Sequence, residues 1–373
     1  MEPFYPLHVR VCDRCYLVQL DEYVSPEQIF TEYAYFSSYA TTWLQHAKSY
    51  AALVRKQFGL NANSQVVEIA SNDGYLLRNF VEMGIPVLGV EPAMNISRVA
   101  ISNGIPTLVE FFGSECARGL LSEGKQADLL IGNNVLAQVP DINDFIAGLK
   151  ILLKPQGVIT LEFPHLLRMV LGNQFDTIYH EHFSYFSFHT VEKILACHAL
   201  TVFDVEELPT HGGSLRIYAR HHGNDSTPVS PRTVALRRLE EEAGVLDLGF
   251  YSAFSERVKK IRLNLLTVLL DLKKSGKSIA GYGAPGKGNT LLNYCGIRTD
   301  LLDYTVDRNP YKQGKYLPGT HIPIFPPEKI RQTRPDYLFI LPWNFKEEIM
   351  QQNAFIREWG GQFILPIPEV LCT

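Results

Sequence analysis

The sequence predicts an α/β fold, with a doubly wound central domain and a second, smaller α/β lobe. Short runs rich in β-branched residues alternate with longer helical patterns from about residue 64. This alternation is typical of a parallel sheet with crossover helices. It stops near residue 208 and restarts near residue 278, so we expect two such lobes, each binding ligands at the carboxyl ends of its strands.

Nine apolar runs predict the strands of these lobes. The first lobe contains runs at 66–70, 87–91, 107–109, 128–132 and 158–162. The second contains runs at 278–283, 302–307, 337–341 and 362–365. Between the two sets, residues 210–218 predict a glycine-kinked turn that enters a strand, and residues 231–275 predict a long, charged, amphipathic helical stretch.

Composition excludes several classes of protein. A chain of 373 residues is too long for one ordinary core, so we expect two or three domains. A net charge of -4 argues against a nucleic-acid partner. The chain has no apolar run of membrane-spanning length and no leader pattern, and most of its cysteines are scattered among apolar neighbours. We therefore expect a cytoplasmic protein with a small-molecule ligand and no membrane partner.

Residues 179–186 concentrate groups that transfer protons near neutral pH, because Glu181 lies between His180 and His182 and tyrosines flank all three. The alternative is a set of interior side chains whose polar tips are satisfied by the backbone. A buried glutamate in such a set would be costly without a purpose. A metal site is disfavoured because residues at i and i+2 of an extended segment point to opposite faces. The segment predicts acid/base chemistry.

A second group of residues predicts a cofactor loop. Small residues after the first strand allow backbone amides to approach a ligand closely, and an acid at the end of the second strand suits the hydroxyls of an adenosine ribose. An acid before an incomplete glycine pattern favours S-adenosylmethionine over a nicotinamide; the alternative is an ordinary turn. The candidate cofactor-binding residues are Glu68, Ala70, Asn72, Gly74, Tyr75, Glu91, Pro92, Asn133 and Asn134.

The second lobe carries a complete G-x-G-x-x-G pattern at 281–286, with Asp307 at the end of the next strand. This satisfies the dinucleotide rule better than the first lobe does, so a nicotinamide-dependent oxidoreductase is the alternative function. Lys287 and Asn289 follow at the expected start of a helix. A cation and an amide there suit the phosphates or hydroxyls of a sugar nucleotide equally well.

Cys12 and Cys15 form a C-x-x-C pair, which can supply two of the four ligands of a tetrahedral zinc site. The remaining cysteines lack a matching partner, although His8 is nearby. Two ligands do not close a structural site. We expect a half site that holds no zinc.

Six segments together resemble the S-adenosylmethionine-dependent sugar C-methyltransferases of deoxysugar pathways, over essentially the whole chain. They are 16–20, 30–38, 68–77, 179–186, 211–218 and 281–293. The resemblance implies a zinc-type lobe at 1–45, a Rossmann-like S-adenosylmethionine domain at 46–207 and a substrate lobe at 208–373. It also implies methylation of the carbon beside the ketone, C-3, of a nucleoside-diphosphate 4-keto sugar.

The resemblance also implies roles for individual residues. It makes His182 the base that removes the carbon-bound proton and leaves His180 as a structural neighbour. Tyr33, Tyr179 and Glu181 match the other active-site positions, although Tyr33 read alone could be a core aromatic. The residues implied in substrate binding are Lys287, Asn289, His211, Ser214 and Arg216.

The chain departs from the family pattern in two places. Relatives carry a first cysteine pair upstream of the one at Cys12, so we expect a truncated N-terminal lobe and a monomer or weak homo-oligomer. Gln138 stands where relatives commonly have histidine. These departures leave open a third hypothesis, in which the chain binds a sugar nucleotide or an adenosine ligand without catalysis. The intact set of Tyr33, Tyr179, Glu181 and His182 argues against it.

Overall fold

The computed structural model describes residues 2–33, 36–39, 41–224 and 227–373, without the side chains of Tyr39 and Thr41. Ala34 and Tyr35, which belong to the segment 30–38 that resembles the family, lie outside the described residues. The chain forms two compact units. The first, here the N-terminal unit, comprises residues 10–166 and 180–243, and the second, here the C-terminal unit, comprises 1–9, 167–179 and 244–373.

The strands and helices of the described residues are given in chain order. The strands are β1 (Val9–Val11), β2 (Val18–Leu20), β3 (Val66–Ile69), β4 (Val87–Val90), β5 (Thr107–Leu108), β6 (Ala127–Asn133), β7 (Leu153–Pro164), β8 (Ser184–Tyr185), β9 (Leu200–Leu208), β10 (Ser214–His221), β11 (Ile279–Tyr282), β12 (Tyr304–Val306), β13 (Ile324–Phe325), β14 (Tyr337–Ile340), β15 (Gln362–Leu365) and β16 (Leu371–Cys372). The helices are α1 (Pro26–Phe30), α2 (Thr41–Phe58), α3 (Leu77–Glu82), α4 (Met94–Ser102), α5 (Ser114–Ser122), α6 (Ile142–Leu152), α7 (Leu166–Leu171), α8 (Phe188–Cys197), α9 (Pro231–Ala243), α10 (Leu248–Lys274), α11 (Gly286–Cys295), α12 (Glu328–Thr333) and α13 (Lys346–Gln352).

The N-terminal unit is built on a seven-stranded sheet in the order β5-β4-β3-β6-β7-β10-β9. Its five parallel strands are the five that the sequence predicts. Their side chains are apolar on both faces because the crossover helices cover both; Val66, Val67 and Leu130, for example, are completely buried. A smaller sheet in the order β1-β2-β8 carries residues Ser184 and Tyr185 of the proton-transfer segment.

The strand predicted after the turn at 210–213 joins the first sheet, although the expected C-terminal lobe, 208–373, includes its residues. β10 pairs antiparallel with β7, with Arg216 opposite Glu162, so it belongs to the N-terminal unit and not to a lobe that begins at residue 208. The strand itself and its entry turn were predicted. Its sheet was not, because apolar alternation records that a strand is half-buried but not which edge it joins.

The C-terminal unit contains a six-stranded sheet in the order β13-β12-β11-β14-β15-β16, parallel except for β16. It includes the four strands predicted for the second lobe. The order reverses between β11 and β14, which makes a topological switch point at their carboxyl ends. The helical stretch predicted at 231–275 contains two helices, α9 and α10, because Gly244 adopts a φ of +88° after the end of α9 and interrupts the helical backbone.

No helix in the described ranges combines the length and the hydropathy needed to cross a membrane.

A buried pair, His165 and Glu240, fixes the end of β7. Nε2 of His165 lies 2.7 Å from Oε1 of Glu240, and both side chains are at most 1% exposed. The same carboxylate accepts backbone N–H groups of Phe188 at 2.7 Å and His189 at 2.9 Å. These amides belong to the first turn of α8, where orphan N–H groups need an acceptor. Glu240 therefore joins three elements through one carboxylate.

We expect Glu240→Gln to lower the free energy of unfolding by about 3 kcal/mol, because the amide nitrogen cannot accept a hydrogen bond and leaves a buried donor unpaired. Urea denaturation followed by circular dichroism measures the change. Glu241→Gln, at the exposed neighbouring position, is the control. Equal transition midpoints for the two variants would contradict this role.

Candidate active site

Left-handed backbone marks one edge of the seven-stranded sheet. Ala70, Asn72, Asn134 and His211 have φ values of +55°, +51°, +55° and +55°. The first two follow β3, Asn134 follows β6, and His211 lies in the turn before β10, which runs antiparallel to β7. All four therefore lie at the carboxyl ends of the parallel strands. Non-glycine residues rarely adopt this conformation, and such strain concentrates at functional sites.

The loops after β3 and β4 are joined by the side chain of Glu91. Its Oε2 accepts the backbone N–H of Asn72 at 3.0 Å, and its Oε1 accepts that of Ala93 at 2.9 Å. Burial raises the pKa of Glu91, and these two amides oppose the rise. A carboxylate has about four lone-pair positions, so Glu91 retains acceptor capacity for the two hydroxyls of a ribose. Pro92, the next residue, is half-buried.

Gly74 and Tyr75 have structural roles in the cofactor loop. Gly74 has a φ of +77°, and a Cβ there would lie 2.7 Å from Cγ1 of Ile105. Packing and backbone conformation thus require glycine without any ligand. Tyr75 is 5% exposed, and its ring stacks on Trp43 at 6.1 Å between centroids. Burial raises the pKa of Tyr75 well above its ordinary value, so its phenol stays protonated.

Unpaired polar atoms indicate where a ligand fits this edge. The six buried side-chain atoms at the ends of β3 and β6 that have no hydrogen-bond partner within the described structure are Glu68 Oε1, Glu68 Oε2, Ser71 Oγ, Asp73 Oδ1, Asn133 Oδ1 and Asn134 Oδ1. Buried polar atoms are normally paired. A cluster of unpaired acceptors therefore requires a ligand that donates hydrogen bonds or carries positive charge.

The charge at this edge suits a cationic ligand. Burial raises the pKa of Glu68 well above its ordinary value, and the nearby Glu91 and Asp73 raise it further. S-adenosylmethionine carries a sulfonium and an ammonium group, and both would relieve this repulsion. These side chains therefore fit that cofactor. Glu68, Asn133 and Asn134 would accept hydrogen bonds from it, and Glu91 would hold the ribose hydroxyls.

Residues 37 and 38 cover the loop after β3. The backbone N–H of Ser37 donates to Oδ1 of Asn72 at 2.9 Å, and that of Ser38 donates to Oδ2 of Asp73 at 3.2 Å. Asn72 thus uses its side chain to hold the N-terminal segment and its backbone to contact Glu91. Residues 37 and 38 belong to the segment 30–38 that resembles the family, and these contacts bind that segment to the loop after β3.

The proton-transfer segment is bound beside the end of β6. The backbone N–H of Phe183 donates to the carbonyl of Ala137 at 2.8 Å, and β8 pairs with β2 through Tyr185 and Val18. Ala137 lies in the short 3₁₀ turn Leu136–Gln138, just after Asn134. His182, adjacent to Phe183, is therefore held beside the loop that carries the unpaired acceptors. The ring of His182 meets that of Tyr185 edge-on at 5.9 Å.

Tyr33 and Glu181 form a direct contact. The phenol of Tyr33 donates to Oε2 of Glu181 at 2.9 Å. Reciprocal hydrogen bonds to the Asn95 side chain hold the backbone of Tyr33, from its N–H at 3.1 Å and to its carbonyl at 2.8 Å. Tyr33 is half-buried, and both its phenol and its backbone have hydrogen-bond partners.

Tyr179 and His180 lie where the chain passes from one unit to the other. Tyr179 is the last residue of a C-terminal-unit segment, and His180 begins the next segment of the N-terminal unit. Both are half-buried.

Glu162 is a residue that the sequence analysis did not select. Its carboxylate is fully buried and accepts Nη2 of Arg216 at 2.7 Å and the hydroxyl of Thr210 at 3.1 Å, while Nε2 of His46 lies 3.0 Å from it. Burial alone would raise the pKa of Glu162, but the hydrogen bond to His46 and the charge of Arg216 hold it below its ordinary value. The available signal was an acid within an otherwise apolar strand.

The residues around the turn at 210–213 have different roles from one another. Nε2 of His211 lies 3.4 Å from Nδ2 of Asn134, and its ring meets Trp43 edge-on at 5.3 Å. The buried Ser214 donates its hydroxyl to the carbonyl of Thr210 at 3.0 Å. Arg216 is 3% exposed, with its guanidinium over the ring of Tyr50. The structure thus places His211 beside Asn134 at the carboxyl ends of the parallel strands, while Ser214 and Arg216 stabilise the turn and strand that carry it.

A second cluster lies within the C-terminal unit. The fully buried Asp176 accepts the indole N–H of Trp343 at 2.7 Å, and Nζ of Lys287 lies 4.8 Å from the centroid of the same ring. Burial raises the pKa of Asp176 to about 6, against the charge of Lys287. Lys287 also donates to Oδ1 of Asn344 at 3.0 Å. Asn289, on the next turn of α11, has a buried Oδ1 without a hydrogen-bond partner in the described structure.

The complete glycine pattern of this unit is explained by internal packing. A Cβ on Gly281 would lie 2.7 Å from Oγ1 of Thr305, and one on Gly283 would lie 2.6 Å from Cδ of Pro342. Asp307, which would bind a ribose in a dinucleotide fold, accepts the backbone N–H of Ala284 at 2.8 Å and that of Asn309 at 2.8 Å. The loop therefore gives no specific support to a nicotinamide cofactor.

Cys12 and Cys15 lie on a tight turn between β1 and β2, closed by the N–H of Tyr16 donating to the carbonyl of Cys12 at 3.0 Å. The backbone amide of Arg14, followed by that of Cys15, lowers the pKa of Cys12, whereas burial raises that of Cys15. Over the described part of the chain, no three His, Cys, Asp or Glu side chains converge as metal ligands. The pair fits half of a tetrahedral site and does not form a closed one.

Comparison with protein families gives matches across the chain. The family described as "C-methyltransferase C-terminal domain" matches residues 209–368, "Methyltransferase domain" matches 42–203 and "Putative zinc binding domain" matches 1–30. The boundary between the first two lies near residue 208, although the seven-stranded sheet continues past it through β10. The family domains and the compact units thus divide the chain differently.

The chain is similar to individual proteins and to a solved structure as follows. C-methyltransferase NovU of Streptomyces niveus is 36% identical over 368 residues, which cover 99% of this chain and 87% of NovU. A ubiquinone biosynthesis O-methyltransferase of Bartonella tribocorum is 30% identical over 98 residues, 26% of this chain and 40% of that enzyme. Among solved structures, the PH0226 protein of Pyrococcus horikoshii OT3 is 16% identical with a TM-score of 0.42, covering 52% of this chain and 97% of that one.

We expect binding of S-adenosylmethionine to release protons, because burial and two nearby acids raise the pKa of Glu68 in the free protein and a cationic cofactor beside it would lower that pKa. Affinity for the cofactor should therefore rise with pH across the range in which Glu68 of the free protein titrates. Calorimetry in two buffers of different ionisation enthalpy measures the release. Glu68→Gln should abolish it and weaken binding, while Glu123→Gln, an exposed control, should retain it. A binding enthalpy that is the same in both buffers for the unmodified protein would contradict the assignment.

Proposed function

This chain belongs to the C-methyltransferase family, and from that premise we propose that its substrate is a nucleoside-diphosphate 4-keto deoxysugar, methylated at C-3 beside the ketone. Its activity as an S-adenosylmethionine-dependent C-methyltransferase follows from the family. The substrate, the methylated carbon and the residue roles are the proposal. We also propose a cytoplasmic location, in keeping with six free cysteines.

One observation carries the proposal. The hydrogen bond from Phe183 to Ala137 holds His182 beside the acceptor cluster at the end of β6. Methyl transfer to carbon needs a base, because a C–H group beside a ketone is only weakly acidic, and a donor that stabilises the enolate. A base fixed beside these acceptors supports methyl transfer to carbon. A hydroxyl group loses its proton more readily than a C–H group, so transfer to oxygen has less need of such a base.

Each residue at this site has a separate role in the proposed reaction. His182 removes the proton from the carbon beside the ketone and holds it on its imidazole. The Tyr33 phenol donates to Glu181, and we assign hydrogen bonding to the enolate oxygen to Tyr179, which the family pattern matches to an active-site position. Glu181 orients Tyr33 and accepts hydrogen bonds from sugar hydroxyls. The cofactor supplies an electrophilic methyl group, and the loops after β3 and β6 fix its position.

We propose substrate contacts for His211, Lys287 and Asn289. His211 stands at the cofactor edge next to Asn134, where it can contact the sugar. Lys287 and Asn289 open helix α11 of the C-terminal unit, where an ammonium group and helix amides suit a diphosphate. We propose no binding role for Ser214 and Arg216 beyond stabilising the turn that carries His211.

The direct test incubates the protein with S-adenosylmethionine and a panel of nucleoside-diphosphate 4-keto sugars. We expect mass spectrometry to show a gain of one methyl group on one member of the panel, and nuclear magnetic resonance to place that group on C-3. The 4-hydroxy counterparts of the same sugars are the control, because without the ketone the adjacent C–H group is not acidic. Methylation of an oxygen, or of the 4-hydroxy sugars, would refute the proposal.

We expect His182→Ala to reduce methyl transfer by about 10²–10⁴-fold, the usual contribution of a general base. In deuterium oxide without cofactor, the unmodified protein should exchange the substrate's C-3 proton, and His182→Ala should not. His198→Ala, on a half-buried residue that follows α8, is the matched control and should exchange normally. Normal exchange by His182→Ala would remove His182 from this role.

A further inference from the structure

The loop between β12 and β13 carries two tyrosines that lie largely in solvent. Tyr311 is 68% exposed and Tyr316 is 64% exposed. Three cations, Arg308, Lys312 and Lys315, lie on the same loop, in a chain whose net charge is -4. Single exposed apolar side chains are common, but here two exposed phenol rings share one loop with three cations. Arg308 lies 3.9 Å from Glu348 and Lys312 lies 3.9 Å from Asp307, so their charges are partly offset, and Lys315 adds a further cation. This composition suits an aromatic anion.

This loop, residues 308–316, is ordered by its own hydrogen bonds. The side chain of Gln313 donates to the carbonyl of Asp307 at 2.9 Å. The backbone N–H of Gly314 donates to the carbonyl of Ile324, and that of Ile324 donates to the carbonyl of Lys315, both at 2.9 Å. The backbone that carries both rings is thus fixed before a ligand binds, which lowers the entropic cost of binding.

The loop is joined to the start of helix α11. Nζ of Lys312 donates to the carbonyl of Ala284 at 2.9 Å, and Asp307 accepts the N–H of the same residue at 2.8 Å. Ala284 lies just before α11, whose second residue is Lys287. The Lys312 ammonium and the first amides of α11 are therefore neighbours within the C-terminal unit, at the carboxyl ends of β11 and β12.

Lys287 connects this region to the proton-transfer segment. Its ammonium lies over the Trp343 ring, whose N–H is bound by Asp176. Asp176 is part of the 3₁₀ turn Phe175–Thr177, which precedes Tyr179 closely in the chain, and the hydroxyl of Thr290 on α11 donates to the carbonyl of Ile178 at 3.2 Å. Within one unit, contacts thus join Ile178, the neighbour of Tyr179 in the chain, to helix α11, and join the residue Ala284 before α11 to Lys312 of the tyrosine loop.

A nucleoside-diphosphate sugar presents its groups in a matching order: sugar, diphosphate, ribose and base. We propose that Tyr311 and Tyr316 bind the base of the substrate by stacking, with Lys312 and Lys315 beside the diphosphate. Stacking on an aromatic side chain is strong and tolerates any base because every base has a π face. The inference rests on the proposed function, since it assumes a nucleotide-linked sugar.

Calorimetry with the five common nucleoside diphosphates and with inorganic pyrophosphate tests it without methyl transfer. We expect Tyr311→Ala and Tyr316→Ala each to weaken nucleoside diphosphate binding about tenfold and to leave pyrophosphate binding unchanged. Tyr311→Phe and Tyr316→Phe retain the ring and should bind normally. Tyr23→Ala, which removes an exposed tyrosine of the N-terminal unit, is the matched control.

The outcomes separate this inference from the proposed function. If the unmodified protein binds no nucleoside diphosphate, the proposed substrate class is wrong and the inference falls with it. If it binds and the alanine variants bind equally well, only the inference is wrong. Equal weakening of pyrophosphate and nucleotide would also overturn it, because the loss would then reflect a disturbed loop and not a lost stacking surface.

Discussion

The buried carboxylate of Glu162, at the carboxyl end of β7, is surrounded by His46 of α2, Arg216 of β10 and Thr210 of the turn before β10. An ionised carboxylate without water is costly unless it is paired and hydrogen-bonded. The three partners meet this cost together, so three elements are fixed relative to one strand end. The backbone carbonyl of Glu162 also accepts the N–H of Asn134 at 2.7 Å. One residue therefore supports both loops that bring Asn134 and His211 together.

The two ligands of the proposed reaction have opposite charges, and the two units differ accordingly. The N-terminal unit presents acceptors, since the oxygens of Glu68 lack a hydrogen-bond partner among the described residues and Asp73 and Glu91 lie close enough to raise its pKa. The C-terminal unit presents cations, with Lys287 at the start of α11 and Lys312 on the loop after β12. Repulsion among the acids is a cost in the free protein that a cationic cofactor removes on binding.

Much of the secondary structure could be predicted because apolar periodicity is a local property. The parallel strands of both sheets, except the two-residue β13, were found from runs of β-branched residues, and the proton-transfer segment was found because histidine, glutamate and tyrosine cluster in it. The placement of β10 in the first sheet could not be found this way, since edge pairing depends on distant residues. The helical stretch predicted at 231–275 is divided at Gly244, a glycine whose φ the pattern does not record.

Glycine motifs were a less reliable guide than clusters of ionisable and polar side chains. The complete glycine pattern at 281–286 suggested a dinucleotide, yet Thr305 and Pro342 account for two of its glycines. The incomplete pattern after β3 leads instead to unpaired acceptors and strained residues. By itself, the sequence determined the α/β class, the candidate cofactor and the acid/base segment, because these depend on residue type and local spacing. Only the tertiary structure decided that Glu162 supports the site, that Asp307 holds a loop and that Tyr33 binds Glu181, because each depends on a contact between residues far apart in the chain.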